Sequence, residues 1–168
     1  MTLRTKTVNS DNIAYTYRRL RRAIGILGVM LPIVLVSFSL IPFFQTTPQV
    51  SISHYYYTNL REIFTGVLCA VGLFLIRYRG YDNLSIFKND NFLTNLAGTM
   101  AIGVAFIPTN PEPYQDKIYT LIPSTAVWLG WLHYSIAGIF FVILSIISIN
   151  VFTIGQEDNK NIPISALN

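Results

Sequence analysis

Apolar positions in this chain are grouped in long blocks separated by short polar stretches. The blocks run from about Ala23 to Phe44, Asn59 to Ile76, Phe92 to Pro108 and Ser124 to Ile154. At ~1.5 Å per residue the first covers roughly 33 Å, enough to cross a bilayer core of ~30 Å. The pattern predicts an all-α, polytopic integral membrane protein with four transmembrane helices in a compact bundle. A basic N-terminal segment (1–22) precedes the four-span domain (23–154), and a polar tail (155–168) follows it.

Within the blocks, side-chain size predicts packing. Pro32 removes one backbone bond and predicts a kink in span one, which Pro42 helps to end. Gly25 and Gly28, and Gly66 with Ala70, offer small faces for close helix approach. Span three is the shortest. Its Ala97, Ala101 and Ala105 recur every four residues, which places it in the middle of the bundle. Trp128 and Trp131 fit an interfacial belt at the start of span four, and His133 follows roughly 13 Å along that helix.

The polar stretches carry their own expectations. The basic segment reads first as an orientation signal, with a short interfacial helix over Ile13–Leu20, Tyr15 and Tyr17 at headgroup level, as the alternative. Residues 45–58 form a first outer loop in which Val50, Ile52, His54 and Tyr56 alternate with Ser51, Ser53, Tyr55 and Tyr57. That period of two predicts a short extended segment, and its tyrosines suit an interfacial belt. Gly80–Asn91 reads as a tight polar connection. Residues 109–123 read as a second outer loop with Ile118–Ile122 as a brief interfacial piece, and the tail reads as frayed.

Composition agrees with the pattern. The 168 residues are 52% hydrophobic and 12% charged, with mean hydropathy +0.46, whereas soluble domains carry about 25% charge. No small-residue cleavage site follows the first block, so it reads as a retained span rather than a secretory signal. Net charge is +4, but the basic residues cluster beside the spans, which argues for juxtamembrane anchoring and against nucleic acid as a partner. Arg18, Arg19, Arg21 and Arg22 with Arg4 and Lys6 weight the N-terminal side, and Arg77 and Arg79 weight the middle connection. The outer loops hold only Arg61 and Lys117. The placement predicts both termini in the cytoplasm, in a bacterial plasma (inner) membrane. Cys69 is the single cysteine and falls within a span, where it reads as a small core residue.

Chemistry-bearing residues concentrate on the outer side: Ser51, Ser53, His54, Tyr55, Arg61, Glu62, Asn110 and His133. Ionisable groups near a membrane interior are functional candidates because their desolvation is costly. The expected ligand-binding set is Ser53, His54, Tyr55, Arg61, Glu62, Asn110 and His133. Arg61 can capture an anionic headgroup or snorkel, and Glu62 in a first turn suits the helix dipole. Two histidines and a carboxylate can hold zinc with one position open, which makes His54, Glu62 and His133 the metal candidates. Neither His-Glu-x-x-His nor another tight ligand spacing occurs, so no cofactor is expected. The structural reading of His133 is one interhelical hydrogen bond. A Ser/His nucleophile at Ser53–His54 is disfavoured, because neighbours on an extended segment point to opposite faces. Ser145 and Ser148 are expected to bond their own backbone or a neighbouring helix.

Ser53-x-Tyr55-Tyr56, Arg61-Glu62-x-Phe64-x-Gly66, Tyr78-x-Gly80-Tyr81-Asp82, Leu96-Ala97-Gly98, Phe106-x-Pro108-Thr109 and Leu132-His133 together cover about residues 50–140. This run resembles a group of uncharacterised bacterial multi-spanning membrane proteins. More distantly it is similar to the Frag1/DRAM/Sfk1 proteins and the ceramidase-like CREST superfamily. The resemblance implies an all-helical bundle with a polar pocket on one side. Such relatives often look like six-span proteins, against four spans here. CREST hydrolases look like zinc enzymes with a Ser, an Asp and three His. This chain has two histidines in total, and no catalytic residue is carried over. The preferred expectation is a non-enzymatic membrane protein whose outer pocket binds a lipid headgroup, small ligand or partner protein. The alternatives are a metal-dependent hydrolase of lipid amides or esters, and an accessory subunit or homo-oligomer within a larger membrane complex.

Overall fold

In the computed structural model, residues 2–78, 90–113, 120–122 and 127–160 are described. They are all-helical, with no strand among them. The α-helices are α1 (Thr2–Ser39), α2 (Arg61–Arg77), α3 (Asp90–Phe106) and α4 (Val127–Lys160). Two 3₁₀ segments, Pro42–Phe44 and Ile52–Tyr57, lie between α1 and α2. The chain divides into two compact units, residues 1–67 and 68–168.

Two helices are long and apolar enough to cross a membrane, over Arg22–Ser39 in α1 and Val127–Ile149 in α4. Only 17% of either window is buried. Their open sides carry large apolar side chains, including Ile26, Val29 and Ile33 on α1 and Phe141, Val142 and Ile149 on α4. Contiguous apolar surface of this kind marks contact with lipid or protein. Trp128 and Trp131, the expected belt residues, are among the exposed ones.

In the first unit, α1 is continuous from Thr2 through Pro32 to Ser39. Ile13–Leu20, the alternative short interfacial helix, is part of α1. Pro32 is carried inside that helix, and among the described side chains of α1 the buried apolar positions are Leu31 and Leu35, one turn apart. The α-helix also stops before the expected end at Phe44. Leu40 and Ile41 close the last turn with i→i−3 bonds (3.3 and 3.0 Å), and Pro42, which has no N–H to continue the ladder, opens a 3₁₀ turn. Gln45 then adopts a left-handed conformation (φ 47°) as its C-cap.

The expected extended segment over 50–57 is instead the 3₁₀ helix Ile52–Tyr57. His54, Tyr55, Tyr56 and Tyr57 are all buried. A strand would send alternate residues to opposite faces and could not bury four in succession on one side. A tight 3₁₀ turn wrapped by its neighbours can.

In the second unit, helices pack antiparallel through small residues. A Cβ on Gly98 would stand 2.5 Å from the Gly72 carbonyl oxygen, and one on Gly72 would stand 2.8 Å from the Gly98 carbonyl. Here α2 and α3 meet backbone to backbone. Gly25, Gly28 and Gly66 behave differently, since a Cβ added at any of them meets nothing within 4 Å. The close-packing faces expected at those glycines are not used, and Gly72 with Gly98 does that work. Ala97, Ala101 and Ala105 are fully buried, and Gly103 faces Ile136 of α4 at 3.3 Å from its own virtual Cβ. Cys69 is half-buried, less enclosed than a core residue. The helix of the fourth apolar block continues to Lys160, past the expected start of the tail at Gly155. The connection at 79–89, residues 114–119 and 123–126, and the tail beyond 160 lie outside the described residues. Thr120–Ile122 are described and are not helical.

Candidate functional site

The polar residues of the first unit are held by the 3₁₀ segment before α2. Its i→i−3 bonds run from His54 N–H to Ser51, Thr58 N–H to Tyr55 and Arg61 N–H to Thr58, each 3.1 Å. Residues three apart eclipse in such a helix, and this brings Ser51 Oγ to 2.6 Å from His54 Nδ1. Ser51 is the N-cap residue, yet its hydroxyl makes no cap bond to the backbone and is directed to the imidazole. Ser51 stands among the chemistry-bearing residues of the sequence, but sequence reasoning weighs Ser53 and not Ser51 as the partner of His54. The i, i+3 spacing of Ser51 and His54 was the available signal.

Tyr55 is fully buried. Its hydroxyl donates to Ser39 Oγ (3.1 Å), which donates to the Val36 carbonyl (2.8 Å). It also accepts from the Gln49 N–H (3.4 Å). One phenol thus ties the 3₁₀ segment to the last turn of α1 and to the intervening loop. Asn59 Nδ2 donates to the Phe44 carbonyl (3.0 Å). Thr58 Oγ1 donates to the Tyr55 carbonyl (2.8 Å) and accepts from the Leu60 N–H (3.2 Å), which orders the entry to α2.

Arg61 opens α2. Its Nε donates to the Tyr56 carbonyl (2.6 Å), and its guanidinium carbon lies 5.2 Å from the centre of the Tyr56 ring, within cation–π range. The guanidinium plane is therefore fixed although Arg61 is only half-buried. Burial pushes the Tyr56 phenol above its ordinary value of 10.0, and the nearby Arg61 charge opposes that rise. Glu62 is exposed beside it. Ser53 is half-buried.

In the second unit, His133 is buried at 1% exposure and lies 2.7 Å from the Ile107 carbonyl through Nδ1. A carbonyl can only accept, so Nδ1 carries the proton. Ile107 directly follows α3, and Pro108 cannot continue the helix, so the imidazole satisfies a carbonyl at a helix end. Thr109 Oγ1 donates to the Tyr134 hydroxyl (2.8 Å). Asn110 is exposed, and its amide rests where a Cβ on Gly130 would stand. The expected interhelical bond of His133 takes the form of a bond from α4 to the carbonyl just past the end of α3. Ser145 donates to the Phe141 carbonyl (2.9 Å), its own helix, as expected.

Of the expected ligand-binding residues, His54 and Tyr55 are interior to the first unit and His133 to the second. Arg61 is the half-buried cation of the set, and Glu62 and Asn110 are exposed. Among the described residues, no group of three or more His, Cys, Asp or Glu could hold a metal ion, and no buried side-chain nitrogen or oxygen lacks a hydrogen-bond partner. No family model matches this chain, and neither the search of curated proteins nor the search of solved structures found a match.

Proposed function

We propose that this chain is an integral membrane protein that binds an anionic lipid headgroup at the start of α2, with Arg61 as the contact. The observation that carries the reading is the fixed guanidinium, held by the Tyr56 carbonyl and ring while remaining half-buried. A pre-oriented guanidinium recognises phosphate with less loss of side-chain freedom than a mobile one. Its place in the first turn of α2 adds the favourable end of the helix dipole for an anion. Glu62 opposes that charge from the neighbouring position, so selectivity depends on the fork geometry of the arginine and not on net charge.

The topology proposed with this reading is four crossings, with both termini cytoplasmic in a bacterial inner membrane. The supporting features are the two long apolar helices and the basic weighting of the N-terminal side. The helices α2 and α3 span 17 residues each, about 26 Å at 1.5 Å per residue. They suit a locally thinned bilayer, or crossings extended by the flanking apolar residues.

The test is lipid analysis of protein extracted in mild detergent, by native mass spectrometry. Wild type should retain phosphatidylglycerol or cardiolipin, and Arg61→Ala should lose it. Arg61→Lys should also weaken retention, because an ammonium keeps the charge and loses the fork. Equal anionic-lipid retention in wild type and Arg61→Ala would refute the proposal.

A further inference from the structure

The segment between α1 and α2 has the composition of a membrane-embedded element. From Ala23 through Leu60 the chain contains no Asp, Glu, Lys or Arg, and the run is bounded by Arg22 and Arg61. Only the first part of that run is the apolar helix ending at Ser39. The remainder, residues 40–60, has the residue count of an aqueous loop but none of its charge.

Its surface is equally unlike a loop. Leu40 is 68% exposed, Phe43 82% and Val50 73%. The tyrosines that would form an interfacial belt are the buried residues, and these aliphatic and phenyl groups are outside. Phe43 is held outward by a rigid base. Phe44 stacks on Phe38 at 4.8 Å and 9°, and Phe43 meets Phe44 edge-on at 5.3 Å. Asn59 fixes the Phe44 carbonyl, and the Gln45 N–H returns to the Pro42 carbonyl (3.1 Å).

Part of the segment's backbone polarity is satisfied internally, as a low-water site favours. The N–H groups of Leu40, Ile41, Phe44, Gln45, His54, Thr58 and Arg61 are bonded within the segment or to the end of α1. Pro42 and Pro48 have none to satisfy. The residues that remain polar at the surface, among them Gln45, Thr47 and Ser51, are uncharged, which suits the headgroup and ester level better than the hydrocarbon centre.

We propose that residues 40–60 form an interfacial cap seated in the lipid, with Leu40, Phe43 and Val50 inserted among the acyl chains near the ester level. The occupant of this apolar surface is the same bilayer that receives α1, because the cap continues directly from the apolar helix with no charged residue between them. The inference rests on the membrane reading above, and the test separates the two.

Nitroxide labels are placed at Phe43→Cys, Val50→Cys and Val29→Cys, each in a Cys69→Ser background. The protein is reconstituted in phosphatidylcholine–phosphatidylglycerol vesicles. Collision with oxygen reports lipid exposure, and collision with a nickel chelate reports water exposure. All three positions are exposed, so the labels need no buried space, and the one ring contact removed is that of Phe43 on Phe44. The expected result is an oxygen-to-nickel collision ratio several-fold above that of a free nitroxide in buffer, at all three sites. A nickel-favoured label at Phe43 with an oxygen-favoured one at Val29 overturns the cap and leaves the membrane reading standing. A nickel-favoured label at Val29 overturns both. A label at Phe43 shielded from both reagents also overturns the cap, because protein and not lipid then covers it.

Discussion

Replacing Gly98 with alanine adds one methyl group at the place where two backbones meet. The added Cβ would lie 2.5 Å from the Gly72 carbonyl oxygen, 2.7 Å from Ile76 Cγ1 and 3.0 Å from the Ile76 backbone nitrogen. Ordinary van der Waals contact begins at 3.4 Å. The helices must therefore separate by something near 0.9 Å, about the strain of an overpacked core methylene, which costs about 1–3 kcal/mol. Two of the three obstructing atoms are backbone and cannot rotate away. Alanine returns about 1 kcal/mol in helix propensity, leaving a net loss of about 0–2 kcal/mol. Gly66→Ala in α2 receives the same propensity gain with open space around it, and should be neutral or stabilising. Gly130→Ala should fall between them, because its obstacle is the side chain of exposed Asn110, which can swing aside. Thermal unfolding in one detergent, followed by intrinsic fluorescence, ranks the three. The expected order of midpoint temperature is Gly66→Ala, Gly130→Ala, Gly98→Ala, from highest to lowest. A Gly98→Ala protein as stable as Gly66→Ala would refute the close approach of α2 and α3. A loss at Gly130→Ala that persists when Asn110→Ala is added would refute the Asn110 obstruction.

Other outcomes follow from the hydrogen bonds. Tyr55→Phe removes a hydroxyl joined to Ser39 and to the Gln49 N–H. It should cost about 1–2 kcal/mol in chemical denaturation, and adding Ser39→Ala should cost less than the sum of the single changes. His133→Ala leaves the Ile107 carbonyl without its imidazole donor and should cost about 1–3 kcal/mol. His133→Asn, which can present an amide N–H near the Nδ1 position, should recover part of that loss; equal stabilities for the two variants would count against the bond. Tyr56 gives a pH dependence. Its phenol is raised above 10.0 by burial, against the pull of Arg61, so the folded state favours the neutral form. Stability is unaffected below the unfolded value of about 10 and falls as pH rises from there through the raised folded value. Tyr56→Phe should flatten that alkaline loss, and a spectrophotometric titration of phenolate should show Tyr56 ionising earlier in wild type than in Arg61→Ala.

Much of this architecture is written in residue order. The apolar blocks that became α1 and α4 need no partner to be recognised, because length and apolar composition are read along the chain without reference to any neighbour. The alanine spacing of α3 likewise announced a buried face, since Ala97, Ala101 and Ala105 have little to offer lipid and allow a neighbouring helix to come close. Ser145 could be assigned to its own backbone for the same local reason.

Contacts between distant residues were not legible in that way. Gly25, Gly28, Gly66, Gly72 and Gly98 are one residue type in similar surroundings, and nothing local says which will face another backbone. Only the docking of α2 on α3 selected Gly72 and Gly98 and left the others open. The alternation through 50–57 fits a strand as well as a helix on local grounds. The phenol of Tyr55 reaching Ser39 and Gln49, and the burial of three consecutive tyrosines, decided for 3₁₀ geometry and so paired His54 with Ser51 and not with Ser53. Arg61 was recognisable as a charge in a costly place, but its fixed orientation depends on the Tyr56 carbonyl and ring, which the turn of the 3₁₀ helix places beside it. Hydrophobicity is a sum over residues and can be read along the chain. Close approach and hydrogen-bond partnership are properties of pairs, and the pairs exist only once the chain has folded.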